Sequence, residues 1–141
     1  MNQIHILYPV ASMLMLVCIV TVLMLRERIA EMKDRRIHPQ KVASSSQMSI
    51  VLHNTRAADN YKNLFEMPVL FYVLCLALFA TQMVSPLFVT SAWVYVLLRC
   101  VHSFIHMGYN KVMHRFTVFA ISVALLAAMW LIFVVQLVQR T

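Results

Sequence analysis

Four stretches of this sequence are long and apolar enough to cross a lipid bilayer, and that constrains the fold more than anything else in it. Ile4 to Leu25 is uncharged apart from His5, and Met67 to Val84 carries no charge. Leu87 to Met107 carries only Arg99, His102 and His106, and Phe116 to Val138 carries none. A helix needs roughly 20 mostly apolar residues to span the hydrocarbon core. Helix is also the only open-ended structure that satisfies every backbone polar group in lipid. The expected fold class is therefore an all-α integral membrane bundle of four transmembrane helices. The spans are expected at 4–25, 64–84, 87–107 and 116–138, in a single domain over 1–141. The first run lacks a basic n-region and is longer than a signal-peptide core, so it reads as a permanent span. No lipidation motif or internal repeat is found.

The orientation follows from lysine and arginine. The 26–63 segment holds Arg26, Arg28, Lys33, Arg35, Arg36, Lys41, Arg56 and Lys62, and the third-to-fourth connection holds Lys111 and Arg115. Thr81 to Ser91 has no charge. Both basic segments fall on one side, which is expected to be cytoplasmic, with both termini outside. In a bacterium this would be the inner membrane. The net charge of +7 is thereby explained as an orientation signal, and no nucleic-acid partner is expected. Cys18, Cys75 and Cys100 lie in apolar runs without a CxxC, and read as small hydrophobes.

The first helix is expected to run on past the membrane and end at His38-Pro39. Ser44, Ser45 and Ser46 then make a short loop with N-cap candidates. A second helix is expected from near Gln47 through Arg56 to Lys62, with Pro68 kinking it. Met48, Ile50, Val51 and Leu52 offer an interfacial surface. Pro86 marks a tight external turn, and Gly108 a break before the fourth helix.

Ionisable groups inside a membrane are costly and are functional candidates by default. Tyr95, Arg99, His102, His106 and Tyr109 recur at alternating steps of four and three, on one face of the third helix. Arg56, Asn60, Asn63 and Glu66 make a second polar face, again in steps of four or three. Folding the hairpin at Ser85-Pro86 is expected to put Glu66 opposite Ile105, with Arg99 deeper by roughly 9 Å at about 1.5 Å per residue. The two faces then form one cationic pocket near the cytoplasmic side. A bland reading stands beside this one: Glu66 with Arg99 or a histidine as a structural pair, and Lys111 and Arg115 as interfacial anchors. His102 and His106 have no evident third ligand, so no metal is expected. No Walker loop, GxGxxG, GxSxG or HExxH occurs.

The second polar face reads Arg56-Ala57-Ala58-Asp59-Asn60-Tyr61-Lys62-Asn63-Leu64-Phe65-Glu66-Met67-Pro68. The third helix ends Arg99-Cys100-Val101-His102-Ser103-Phe104-Ile105-His106, with Gly108 and Arg115 following. These segments resemble the MAPEG family, the membrane-associated proteins in eicosanoid and glutathione metabolism, and the resemblance covers nearly the whole chain. It implies a homotrimer with glutathione bound between subunits near the cytoplasmic side. Asn63 and Glu66 match the family's glutathione-binding Asn and Glu, and Arg99 and His102 its third-helix basic and ring residues. Arg115 matches the arginine that lowers the thiol pKa, and is the implied catalytic residue. Asp59 stands where glutathione-using members usually have arginine, which leaves Arg56 to compensate from one turn earlier. His106 stands where tyrosine is common, and Phe116 where some members have a hydroxyl. Arg56, Asn60, Asn63, Glu66, Arg99, His102 and His106 form the candidate glutathione-binding set.

Two function classes remain open. One is a glutathione-dependent transferase or peroxidase acting on a lipophilic small molecule. The other is a non-catalytic lipid-binding or partner-binding protein of the same fold. A proton-linked transporter would need a continuous polar path, and the external halves of the helices are too apolar for one.

Overall fold

The computed structural model describes residues 2–42, 44, 47 and 50–140. Every regular element among them is helical. A short 3₁₀ turn, Gln3–Ile6, leads into α1, Leu7–Asp34. Then come α2, Arg56–Leu64, and α3, Met67–Ala80, followed by α4, Pro86–Met107, and α5, Val112–Arg140. Helices covering Gln3–Asp34, Arg56–Ala80, Pro86–Met107 and Val112–Arg140 are each long and apolar enough to cross a membrane.

Each span buries one stripe at helical spacing. On α1 it is Pro9, Met13, Val17, Val20 and Met24, and on α5 it is Ser122, Leu126, Met129 and Phe133. The opposite faces expose Leu14, Met15, Ile19, Leu131 and Val138. Lipid is as apolar as these side chains, so shape complementarity inside the bundle holds the helices together rather than expulsion from water. The centre of that packing is Phe71 of α3 stacked on Tyr95 of α4, with ring centroids 4.6 Å apart and both side chains fully buried.

One end of the bundle gathers both ends of the described chain. The Gln3 Oε1 accepts from the Val84 N–H at 3.1 Å, and Arg140 donates to the Thr81 carbonyl at 2.9 Å. The 81–85 turn therefore lies beside both.

Three expectations need correcting. The helix expected from Gln47 is interrupted, since Leu52 to Thr55 is not helical and α2 starts at Arg56. The cause is α1: the Glu31 carboxylate accepts the His53 and Asn54 N–H groups at 2.8 and 3.2 Å, and Arg35 donates to the Val51 carbonyl at 2.7 Å. Backbone groups spent on α1 are not free for a helix ladder. Of the loop residues named above, Ser45, Ser46 and Met48 lie outside the described residues.

Second, Pro68 does not kink a continuous helix. The chain leaves the helix at Phe65 and Glu66, and Pro68 sits in the first turn of α3. Proline has no N–H to give the carbonyl four residues back, and its ring crowds that carbonyl, so a helix start is the position that suits it.

Third, the hairpin register differs. Asn60 faces Ser103 and Asn63 faces Arg99. That antiparallel pairing carries Glu66 about two helical turns away from Ile105, to the level of Arg99 and beyond. The turn pivots near Gln82 to Val84 rather than at Ser85-Pro86, and the break at Phe65-Glu66 takes up further chain.

Candidate functional site

The polar stripe of α4 points into the bundle. Tyr95 and Arg99 are fully buried, and His102, Ser103 and His106 are nearly so. From α2, Asn60 is also fully buried, and its Oδ1 accepts from the Ser103 hydroxyl at 3.2 Å.

Arg99 owes its place to the helix break. The Asn63 carbonyl lies at the end of α2, where the regular ladder stops, and it accepts from Arg99 Nη2 at 3.1 Å. The guanidinium also lies 5.8 Å from the centroid of the Phe119 ring. Its Nε and Nη1 have no partner among the described residues. Glu66 is within electrostatic range of Arg99 but makes no ion pair with it, and its side chain is exposed on the outside of the bundle.

Arg115, in the first turns of α5, faces the C-terminal end of α4 and the turn that follows it. Its Nη1 donates to Asn110 Oδ1 at 3.0 Å and meets His106 Nε2 at 3.2 Å. Its main-chain carbonyl lies 3.2 Å from His102 Nδ1. A carbonyl only accepts, so His102 carries a proton on Nδ1. Arginine only donates, so His106 Nε2 carries a lone pair and its proton sits on Nδ1. These two partners fix both tautomers. They leave His102 Nε2 and His106 Nδ1 buried without a partner among the described residues.

Asn63, His102 and Arg115, with Val112, Phe116 and Phe119, line a pocket of about 200 Å³. One wall is thus polar and cationic, and the other is apolar. Val112 and Phe116 are 63% and 62% exposed, so the apolar wall continues onto the outer face of the bundle. Arg56 stands apart from this pocket: its Nη1 donates to the Gly108 carbonyl at 3.2 Å, and it lines a second opening with His53, Asn54, Thr55 and Asn110.

The structure therefore puts Asn63, His102 and Arg115 on the pocket wall, with Arg99 and His106 buried behind it and bonded to Asn63 and Arg115. Asn60 lies behind it, and Arg56 and Glu66 lie on its two flanks. Sequence reasoning missed Ser103, Asn110 and Phe119. Asn110 left one signal, an asparagine directly after Gly108-Tyr109 in a connection between helices, where its residue type tolerates left-handed backbone. Its φ is 49°.

Comparison with known proteins gives one match. The family model described as MAPEG family matches residues 6–135, nearly the whole chain. No curated protein and no solved structure matches it.

Proposed function

The chain belongs to the MAPEG family, and on that premise we propose that it is a glutathione-dependent membrane transferase or peroxidase in which Arg115 stabilises the thiolate. The observation that carries this reading is the setting of Arg115. Neutral groups hold its guanidinium at the mouth of a pocket, and no carboxylate pairs with it among the described residues.

The residues present fit an anionic thiol. Arg99 and Arg115 are two cations without a paired carboxylate among the described residues, and Arg99 has two nitrogens, Nε and Nη1, without an acceptor there. Buried donors and charges of this kind call for an acceptor. Glutathione would supply the thiol nucleophile and two carboxylates. Arg99 and Asn63 would bind one carboxylate and Arg56, from the neighbouring opening, the other, and Glu66 would bind the ammonium of the γ-glutamyl group. Asn60, through Ser103, holds α2 against α4, and His106 directs Arg115. Arg115 then favours the charged form of a thiol whose proton leaves to solvent. A thiol with pKa near 8.5 is mostly protonated at neutral pH, and one unit of depression, about 1.4 kcal/mol, raises the thiolate several-fold. The apolar wall of Val112, Phe116 and Phe119 would receive a lipophilic electrophile or peroxide from the bilayer.

Glu66 is exposed on the outside of the subunit while Arg99 is inside. A ligand that bridges them needs a second wall over Glu66, which supports sites between subunits, and the family resemblance implies that the assembly is a homotrimer. The basic loops are taken as cytoplasmic and the termini as external.

The test is ultraviolet difference absorbance as glutathione is added to purified protein at neutral pH. A thiolate band is expected in the wild type, and its loss in Arg115→Ala with assembly intact. No band, together with no heat of binding at millimolar glutathione, rejects the enzyme reading. The non-catalytic lipid-binding reading then leads, favoured by the exposed Val112 and Phe116, and co-purified lipid is its readout.

A further inference from the structure

Arginines that must be aimed are commonly held by carboxylates, which orient the guanidinium and cancel its charge together. Arg115 is held differently. Its two side-chain partners, Asn110 Oδ1 and His106 Nε2, are both acceptors without charge. The other charged or titratable groups around this cluster are Arg99 and His102 on α4, Arg56 and His53 at the opening that Asn110 also lines, and Tyr109, Lys111 and His114 in and beside the turn. From α2, Asp59 comes within electrostatic range of His106, while its own carboxylate accepts from the Thr55 hydroxyl at 2.9 Å.

Position 110 is demanding in two ways. Its φ of 49° is left-handed, and its N–H closes the turn onto the Ile105 carbonyl at 2.9 Å. Few residues other than glycine adopt that backbone readily, and asparagine and aspartate are among them. The side chain must also present an oxygen to Arg115. Only those two residue types meet both demands well, and they differ in charge alone.

We propose that Asn110 is the positioning residue that aims Arg115 into the pocket while leaving its positive charge uncompensated. The choice of amide over carboxylate sets the electrostatic potential that a bound thiol meets. The purpose of this device rests on the thiolate reading above, whereas its test does not use glutathione.

Val112 lines the same pocket, so Val112→Cys places a reporter thiol there. Its alkylation by iodoacetamide is followed against pH, with residue 112 read by peptide mass. The backgrounds are the parent, Asn110→Asp, Asn110→Gly and Arg115→Ala, each checked for intact folding by thermal melting. In the parent, the reactivity midpoint is expected below that of an ordinary thiol. Asn110→Asp and Arg115→Ala should slow alkylation at pH 7 about tenfold, the effect of roughly one unit in a thiol pKa. Asn110→Gly keeps the backbone but drops the tether, and should fall between. An unchanged profile in folded Asn110→Asp overturns the proposal. Should that variant not fold, an unchanged profile in Asn110→Gly does so instead. A reporter insensitive to Arg115→Ala also overturns it, because the arginine's field would then not reach the pocket. Failure of glutathione to bind leaves all of these outcomes readable.

Discussion

Arg99 donates to the main-chain carbonyl of Asn63 at 3.1 Å, a carbonyl that the Met67 N–H would take in an unbroken helix; the break at Phe65-Glu66, which Pro68 favours by offering Leu64 no N–H, leaves it to a side chain. A continuous helix would have drawn it into the ladder. The break thus supplies a fully buried guanidinium with an acceptor that sequence spacing does not reveal.

Pro68→Ala restores an N–H at 68 and favours a helix running through Phe65 and Glu66. Replacing proline within a helix ordinarily stabilises, by up to about 3 kcal/mol. Here the Asn63 carbonyl would return to the ladder and Arg99 would lose its acceptor, a loss of about 1.5–3 kcal/mol for a bond to a charged group. The expectation is no net gain in thermal stability and weaker binding of anionic ligands. A variant that melts higher and binds as before would show that Arg99 does not depend on the break.

The bond from Ser103 to Asn60 joins α4 to α2 inside the bundle. A double-mutant cycle with Ser103→Ala and Asn60→Ala, unfolded in mixed micelles, should give a coupling of about 0.6 kcal/mol, and no more than about 1.7. Strict additivity would mean that the pair does not contribute to helix association.

Gly108 has an ordinary φ, so left-handed backbone is not why glycine stands there. A Cβ at this position would lie 2.9 Å from the Phe104 carbonyl oxygen, and backbone cannot move aside cheaply. Gly108→Ala should therefore cost about 1–3 kcal/mol and shift the turn that carries Asn110. A melting temperature equal to wild type would mean that the turn yields freely.

The placement of basic residues predicts the orientation. A reporter that fluoresces only in the cytoplasm should be bright when inserted at Lys41 and dark when fused after Arg140. The reverse pattern would invert the protein in its membrane.

The four spans were legible because a bilayer punishes every uncovered charge, and an uncharged run of that length has few alternatives. The stripe of Tyr95, Arg99, His102 and His106 was legible for the same reason: helical periodicity puts those side chains on one face whatever the neighbours do. The pairing of Glu66 with Ile105 failed because register accumulates over everything between two residues. A pivot near Gln82 and a two-residue interruption at Phe65-Glu66 moved it by about two turns. The grouping of Asn110, His106 and Arg115 depends on one left-handed residue in a short connection. Periodicity carries no information about such a turn.

The grip of Glu31 on the His53 and Asn54 amides has a practical side for anyone who wants to handle this protein. The carboxylate also takes Arg35 at 3.0 Å, so both strands of the loop are fastened at its base, close to the bundle. A peptide tag or a small soluble carrier inserted between Val42 and Gln47 begins and ends beyond that fastening. Such a graft would give a 141-residue protein buried largely in detergent a fiducial for imaging that is tied to the bundle at the Glu31 fastening, while the helices and the pocket keep their own geometry. With Glu31→Ala the same graft would hang from an unfastened loop, and its image would blur relative to the helices.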